Sequence, residues 1–360
     1  GNNLSDLLDV SAARVNLDLE IGVDVQQQLT AGTNITIAGD GTIAASGGGG
    51  TALELYAENP VTPSTPSATG DNAVAIGQSH ASGDDSFAAA IDNNTSSYGA
   101  TGVNSVAMGE LAKATGSDSV AIGSSSISSG TMSIALGALC EATANASTAV
   151  GFASDALGQN STAIGRSATA DLSGTAVGYV AEATGAFSSA MGFNATATGI
   201  FSTAIGAYAV SSIAGKIAQG AGRFTVTGDS QKGTFILRSN TTNATTEALT
   251  GNNTTPSTTN QIILPNDSVY AFSGAIVARE NSNDGTDCAA WEIKGLIRRE
   301  GSAGTTVLVN SATTVLDNTP SWGLALSADT SNGGLKIEVT GAAATNIRWL
   351  ATINTSELTY

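Results

Sequence analysis

The sequence predicts an all-β rod: a parallel β-roll of short repeated coils, a C-terminal β-sandwich after it, and a short N-terminal helical segment before it. Three observations predict it. A fourteen-residue repeat of small and aliphatic residues, closed by glycine, runs through the middle of the chain. All three tryptophans and nine of the thirteen basic residues lie from Arg223 onward, where alternating segments continue without the repeat. Charged residues are only 12% of the 360 positions, where about 25% is usual, so much of the interior must be built from small side chains.

The repeat glycines Gly109, Gly123, Gly137, Gly151 and Gly165 fall fourteen apart; Gly178 follows after thirteen, then Gly192 and Gly206 after fourteen again. A second series, Gly116, Gly130, Gly158, Gly185 and Gly199, sits seven residues on. An earlier, less regular copy at 71–94 contains Gly77 and has Asp92 where a glycine is due. In Ser119–Gly123 the alternation puts Val120 and Ile122 on one face, and a period of two means strand. Two such halves make one rectangular coil with two strands and two corners, at which glycine supplies positive φ or close backbone approach. Residues 71–215 would then form about ten coils and a rod about 45–50 Å long, at about 4.8 Å per coil. The aliphatic positions, such as Ile122 and Ile164, are expected to point into the coil. The alanines Ala107, Ala121, Ala135 and Ala149 lie on the opposite face. Both faces lack charge, so one should fill the coil and the other should meet a neighbouring chain. Three chains about an axis is the economical geometry for identical parallel rolls.

These residues resemble the YadA-like head repeats of trimeric autotransporter adhesins, in which a Ser-Val-Ala-Ile-Gly strand is followed by an Ala-x-Ala-x-Gly half. The register matches at 118–124, 133–137, 161–165 and 203–206, within a repeat region of about 40% of the chain. The resemblance implies a left-handed parallel β-roll, assembled as a homotrimer. The stretched segment 90–103 and the thirteen-residue repeat ending at Gly178 depart from the pattern and predict local loops or bulges.

Before the repeat, Leu4, Leu7, Leu8, Ala12, Val15 and Leu19 give a helical stripe. The segment from Asn3, NLSDLLDVSAARVNL, resembles one common in bacteriophage tail fibres. Gly39-Asp40-Gly41 between two short β-patterns is a hairpin signal. The expected organisation is therefore a helix and small β segment at 1–50, a linker at 51–70, the roll at 71–215 and the sandwich at 223–360. Strand patterns such as WEIKGLIRR and LKIEVTG have one wet face. As a whole the last region is similar to terminal domains of phage tail fibres.

A net charge of −17 opposes the phosphate neutralisation that nucleic-acid binding requires. No apolar run approaches the length of a membrane span and no secretion signal is visible, so neither nucleic acid nor membrane insertion is expected. Cys140 and Cys288 are expected to be free thiols. The single histidine, His80, could be drawn into a Ser-His-Asp set with Asp84 and Asp85, but a roll corner supplies no orienting third group, and His80 is expected in a solvated loop. Asp84-Asp85, Asp92-Asn93-Asn94 and the stretch Asn281 to Asp287 carry oxygen ligands for Ca²⁺ without the spacing of an EF-hand, and turn chemistry accounts for them. A broken threonine column argues against ice binding. The roll region has ten acidic residues and no Trp, which disfavours a capsule depolymerase groove. No cofactor, metal site, catalytic residue or enzymatic activity is expected.

The function expected is that of a virion tail fibre, extracellular when at work. Its N-terminal end would join other virion tail proteins, and its C-terminal end would contact a host-surface glycan or protein receptor. Recognition residues favour loops on a rigid scaffold, so the contact candidates are Asn281, Asn283, Asp284 and Asp287, together with Trp322, which reads equally as a core residue at the start of a strand. The alternative is the head of a bacterial trimeric autotransporter adhesin.

Overall fold

The computed structural model describes residues 66–360 except 93–94, 282–284 and 319, and the strand backbones of 35–37, 43–45 and 53–55. The helical stripe at 4–19 lies outside the described residues. Ile35–Ile37 and Ile43–Ala45 pair antiparallel, as the hairpin signal predicts. Gly1–Ala52 forms one compact unit and Leu53–Tyr360 a second. The described part of the second unit is all β apart from one 3-10 turn, Ala303–Thr305.

The roll consists of about eleven turns. Each coil gives a two-residue strand to a parallel sheet of eleven strands, from Ser67–Ala68 to Val210–Ser211. It also gives a longer strand, from Val74–Ile76 to Ile217–Ala221, to a second sheet. Coils stack in register: Val106, Val120 and Ile134 are successive partners, as are Ala107, Ala121 and Ala135. The thirteen-residue coil keeps this register, pairing Thr162 with Thr175; its missing residue is absorbed at the corner, where the Gly174 N–H donates to the Asp171 carbonyl at 2.7 Å.

The face assignment expected from the sequence is reversed. Ala107, Ala121, Ala135, Ala149 and Ala163 are fully buried, whereas Ile122 and Ile164 are 37% and 39% exposed. The reason is the width of the coil. The hydroxyls of Ser128, which ends one strand, and Ser133, just before the next strand of the same coil, are 2.6 Å apart across the corner, so two of the shortest polar side chains already meet in the interior. In the regular coils Ala, Ser and the small Cys140 fit there and the branched side chains face outward; Ile91, fully buried, stands in the stretched segment 90–103 that departs from the repeat. Ser133, Ser147 and Ser161 donate to the carbonyls of Gly130, Ala144 and Gly158, each at 2.6 Å, which satisfies both the buried hydroxyl and the first carbonyl of the turn.

Each corner is a tight turn with a left-handed third residue, and most of these are not glycine: Asp118, Met132, Phe187 and Phe201 at one corner, Leu111, Ser125, Leu139 and Tyr208 at the other. Each such conformation costs about 1 kcal/mol. Inter-coil hydrogen bonds offset it; the N–H groups of Ser125 and Leu139, for example, donate to the Glu110 and Ser124 carbonyls of the preceding coil at 2.7 and 2.9 Å. The repeat glycine beside the second corner is a stricter requirement. Gly123 has φ +132, and a Cβ there would overlap the carbonyl of Gly137 one coil on.

The longer-strand sheet does not stop with the roll. Ile217–Ala221 pairs antiparallel with Ser230–Thr241, which pairs with Ile347–Thr359, then Ser268–Glu280, Cys288–Arg299 and Val307–Asp317. One hydrogen-bonded sheet therefore runs from the shaft into the C-terminal region. A smaller sheet, with Gly334–Thr340 between Gly323–Asp329 on one side and Thr246–Ala248 and Ile262–Ile263 on the other, packs over it and completes the sandwich. Between them lie Phe235, Leu237, Phe272, Ile276, Ile337 and the three tryptophans. Trp349 stacks on Trp291 at 5.8 Å and donates its indole N–H to Thr241 Oγ1 at 2.9 Å.

A buried polar cluster sits where roll meets sandwich. Lys216 occupies the last interior serine position, and its Nζ is 2.6 Å from Glu357 Oε2 with both side chains out of solvent. Gln231 Nε2 and Thr355 Oγ1 donate to the same carboxylate at 2.7 Å each. Burial, the Glu357 charge and its hydrogen bond push the Tyr270 hydroxyl well above its usual range. Nearby, burial alone would raise the Asp229 carboxyl, but N–H groups of Thr225, Phe224 and Val226 and the Ser230 hydroxyl hold it at about 2.

Three outcomes are expected. Ala163→Leu overfills the coil and should cost about 3 kcal/mol of stability, read as a lower urea midpoint. Glu357→Gln leaves the buried Lys216 unpaired and should cost about 3–5 kcal/mol by the same measurement. The Asp229 carboxyl is depressed from 3.8 to about 2, so its stabilisation is full above pH 4 and is lost as pH falls towards 2. The stability difference between the native chain and Asp229→Asn should shrink over that window.

Candidate functional site

Alternation along the long strands sends one set of residues into the sandwich and the next outward. Cross-strand register then sets the outer face. One row reads Asn240, Arg348, Arg279, Cys288 across four adjacent strands, and the next reads Arg238, Leu350, Val277, Ala290. These residues line a cleft of about 840 Å³, with Asn253 and Asp317 at its margin. Arg279 and Arg348 are directly opposed, an arrangement of like charges that destabilises a sheet. The ion pairs among the described residues, Lys216–Glu357, Arg298–Glu300 and Lys336–Glu338, include none of the three cleft arginines.

The candidate contact residues fall between Ser268–Glu280 and Cys288–Arg299, the two strands that contribute Arg279 and Cys288 to this cleft. Asn281 and Asp287 are exposed, while Asn283 and Asp284 lie outside the described residues. The Asn281 N–H donates to the Asn346 carbonyl at 2.7 Å and the Glu280 N–H to that of Asp287 at 2.9 Å, which fixes the feet of the loop. Trp322 is placed differently from the contact reading. It is 5% exposed and packs against Trp349 at 5.7 Å, with its backbone held by the Asn318 side chain, so it belongs to the core.

The roll carries two kinds of surface. The outward column of its longer strands runs Met108, Ile122, Leu136, Val150, Ile164, Val177, Met191, Ile205, without a charge. Beside it, one corner holds a ladder in which Arg166 lies between the rings of Phe152 and Tyr179, at 5.6 and 5.7 Å. Tyr179 stacks on Phe193 at 5.1 Å, Phe193 meets Tyr208 at 5.2 Å, and Arg223 covers Tyr208 at 4.2 Å. The other corner stacks Phe187 on Phe201 at 5.3 Å. The opposite face, with Lys113, Glu141, Asp155, Thr169 and Glu182, is polar.

The remaining sequence candidates are structural. His80, expected in a solvated loop, is 8% exposed in the His80–Ala81 strand, where a Cβ at Gly99 in the next coil would overlap the His80 backbone carbonyl. Its Nδ1 lies 3.2 Å from Ser67 Oγ, and burial lowers its pKa. Asp84 and Asp85 bridge neighbouring turns through the Asp71 N–H and the Asn72 side chain. Among the described residues no three His, Cys, Asp or Glu side chains gather at a metal-binding point. Gly109, Gly123, Gly137, Gly151, Gly165, Gly178, Gly192 and Gly206 all have φ between +94 and +140; Gly77, at φ +70, faces open space. Cys140 is buried and Cys288 exposed, both free. The arginine cleft was not visible in the sequence, because Arg238, Arg279 and Arg348 are far apart in the chain and only strand register brings them together.

The family described as YadA head domain repeat (2 copies) matches residues 68–89, 100–126, 128–154, 156–181, 172–195 and 183–209. The roll is built of YadA head repeats. They account for a little over a third of the chain and stop short of the sandwich. No curated protein matches the sequence. Among solved structures, the chain is similar to the tailspike protein gp49 of the Acinetobacter baumannii bacteriophage Fri1, a capsular polysaccharide depolymerase, at 11% identity and a TM-score of 0.22, covering 84% of this chain and 50% of that one. It is similar to the tailspike protein of the Acinetobacter phage vB_ApiP_P1 at 11% identity and a TM-score of 0.20, covering 76% and 51%. The chain thus spans about half the length of these tailspikes. At such scores no residue role is carried across. The expectation of no enzymatic activity is nevertheless corrected, since a protein found similar to this chain is a depolymerase.

Proposed function

We propose that the chain is a homotrimeric attachment fibre of a virion, with the YadA-type roll as its shaft and the sandwich as the end that contacts the host surface. The observation that carries this reading is the outward aliphatic column from Met108 to Ile205, a contiguous uncharged apolar strip about 35–40 Å long at about 4.8 Å per coil. An apolar patch of that extent marks an interaction surface. The two flanking corners are apolar as well, with Phe187 and Phe201 on one and Phe152, Tyr179 and Phe193 on the other. Contact of one corner with the opposite corner of the next chain is heterologous and closes as a ring around the aliphatic faces. The tail-fibre-like segment beginning at Asn3 supports a virion setting. The exposed Asn281 and Asp287, each next to the end of a long strand, support contact through the sandwich. A second reading, the head of a bacterial trimeric autotransporter adhesin, is favoured by the repeat match itself.

Sedimentation equilibrium of the intact chain should give three times the 35.5 kDa chain mass. Ile122→Asp combined with Ile164→Asp should give monomers that keep the β-sheet circular dichroism of the roll, because these side chains face out of the coil. A native chain that sediments as a monomer would remove the trimer. Electron microscopy with antibody against residues 223–360 should place the label on virion appendages, away from the particle. Label on a bacterial outer surface instead would select the adhesin.

A further inference from the structure

We infer that the cleft around Arg238, Arg279 and Arg348 binds a carboxylate-bearing saccharide. The cleft reverses the sign of its surroundings: in a chain of net charge −17, three arginines and one carboxylate, Asp317, line it. Arg279 and Arg348 face each other on adjacent strands, at a Cα spacing of about 5 Å, with no acidic partner among the described residues. An unrelieved like-charge pair in a regular sheet works against folding, and such local conflicts concentrate at functional sites. An anion seated between the two would relieve it. Guanidinium forks match the planar, two-oxygen geometry of a carboxylate, which a lysine pair would not.

The rest of the cleft selects the body of the ligand. Val277 and Leu350, 49% and 44% exposed, give an apolar floor next to the arginines. Asn240 and Asn253 bring amides to the margin, with donors and acceptors for hydroxyls. A sugar ring presents an apolar C–H face and a rim of hydroxyls, and a uronic acid adds the carboxylate. The volume of about 840 Å³ accommodates several such rings. The inference deepens the attachment reading, on which it rests for the source of the saccharide.

The test uses the intact chain with a hexasaccharide of alternating glucuronic acid and N-acetylglucosamine, a neutral N-acetylglucosamine hexasaccharide, and inorganic phosphate, each titrated calorimetrically. The acidic hexasaccharide should bind at least tenfold tighter than either comparison. Arg279→Gln with Arg348→Gln should weaken it at least tenfold while melting no lower than the native chain, since a repulsion has been removed. Arg298→Gln, on the same domain but outside the cleft, should change nothing. Cys288 lines the cleft and is exposed, whereas Cys140 is buried, so a charged maleimide should modify Cys288 in the native assembly and the acidic hexasaccharide should slow it. Equal binding of the neutral sugar or of phosphate, an unchanged double variant, or a Cys288 closed to reagent in the assembly would each overturn the inference. None of these results depends on where antibody label falls, so the attachment reading stands or fails separately.

Discussion

The width of the coil interior is the constraint on which the rest of the molecule depends. Two serine side chains from either side of a corner already meet inside the coil, as the contact between Ser128 and Ser133 shows. In the regular coils that spacing admits Ala and Ser, so the large apolar residues are forced outward, whereas the stretched segment 90–103 makes room for the buried Ile91. A conventional domain gains stability by burying branched side chains within one chain. Here each coil buries methyl groups and hydroxyls, and cohesion comes from unbroken parallel hydrogen bonding along the stack. The outward aliphatic face follows from the same dimension, since it is what remains after the interior has taken the alanines. An uncharged exterior and a small-residue interior are two results of a single geometric limit.

The fold was largely legible because the repeat is periodic at two levels. The spacing of Gly109, Gly123 and Gly137 gave the coil length, and the alternation in Ser119–Gly123 gave the strand. Strand patterns after Arg223 such as WEIKGLIRR and LKIEVTG were readable for the ordinary reason that alternate residues meet water. Which face of the roll lies inside was not legible, because Val120 and Ile122 alternate with Ala121 in a way that satisfies either assignment. The general preference for burying the larger residue pointed the wrong way, and only the inter-strand distance decides. The left-handed residues were hidden too: nothing in Met132, Leu139 or Phe201 advertises a positive φ, which stacking hydrogen bonds impose on them. The loop Asn281 to Asp287 could be found from its composition, but the arginine row beside it is a product of register between strands distant in sequence.

The junction shows how the longer-strand sheet of the repeat is continued into the sandwich at its last coil. An open sheet edge invites pairing with other chains, and here Ser230–Thr241 takes the edge of the last coil and hands it on to four further strands. Lys216, standing where every regular coil has a small residue, closes the interior column with a charge that Glu357 neutralises from the last strand of the chain. Residues 141 positions apart thereby fix the registry between shaft and sandwich. The sheet leaves one edge open at its far end: Val307–Asp317 is exposed on both faces, with Val309, Val315 and Leu316 about half in solvent.

Because every strand of the roll lies across its length, the inter-coil hydrogen bonds point along it. A pull on the two ends of the shaft therefore loads those bonds in line, and the weakest rung opens first. An opened coil of fourteen residues extends to about 48 Å of chain at about 3.4 Å per residue, against about 5 Å when stacked, so each one pays out about 43 Å before the next is loaded. The shaft is stiff under compression and yields in discrete lengths under tension, the behaviour of a tether that lengthens under a sudden load before it breaks.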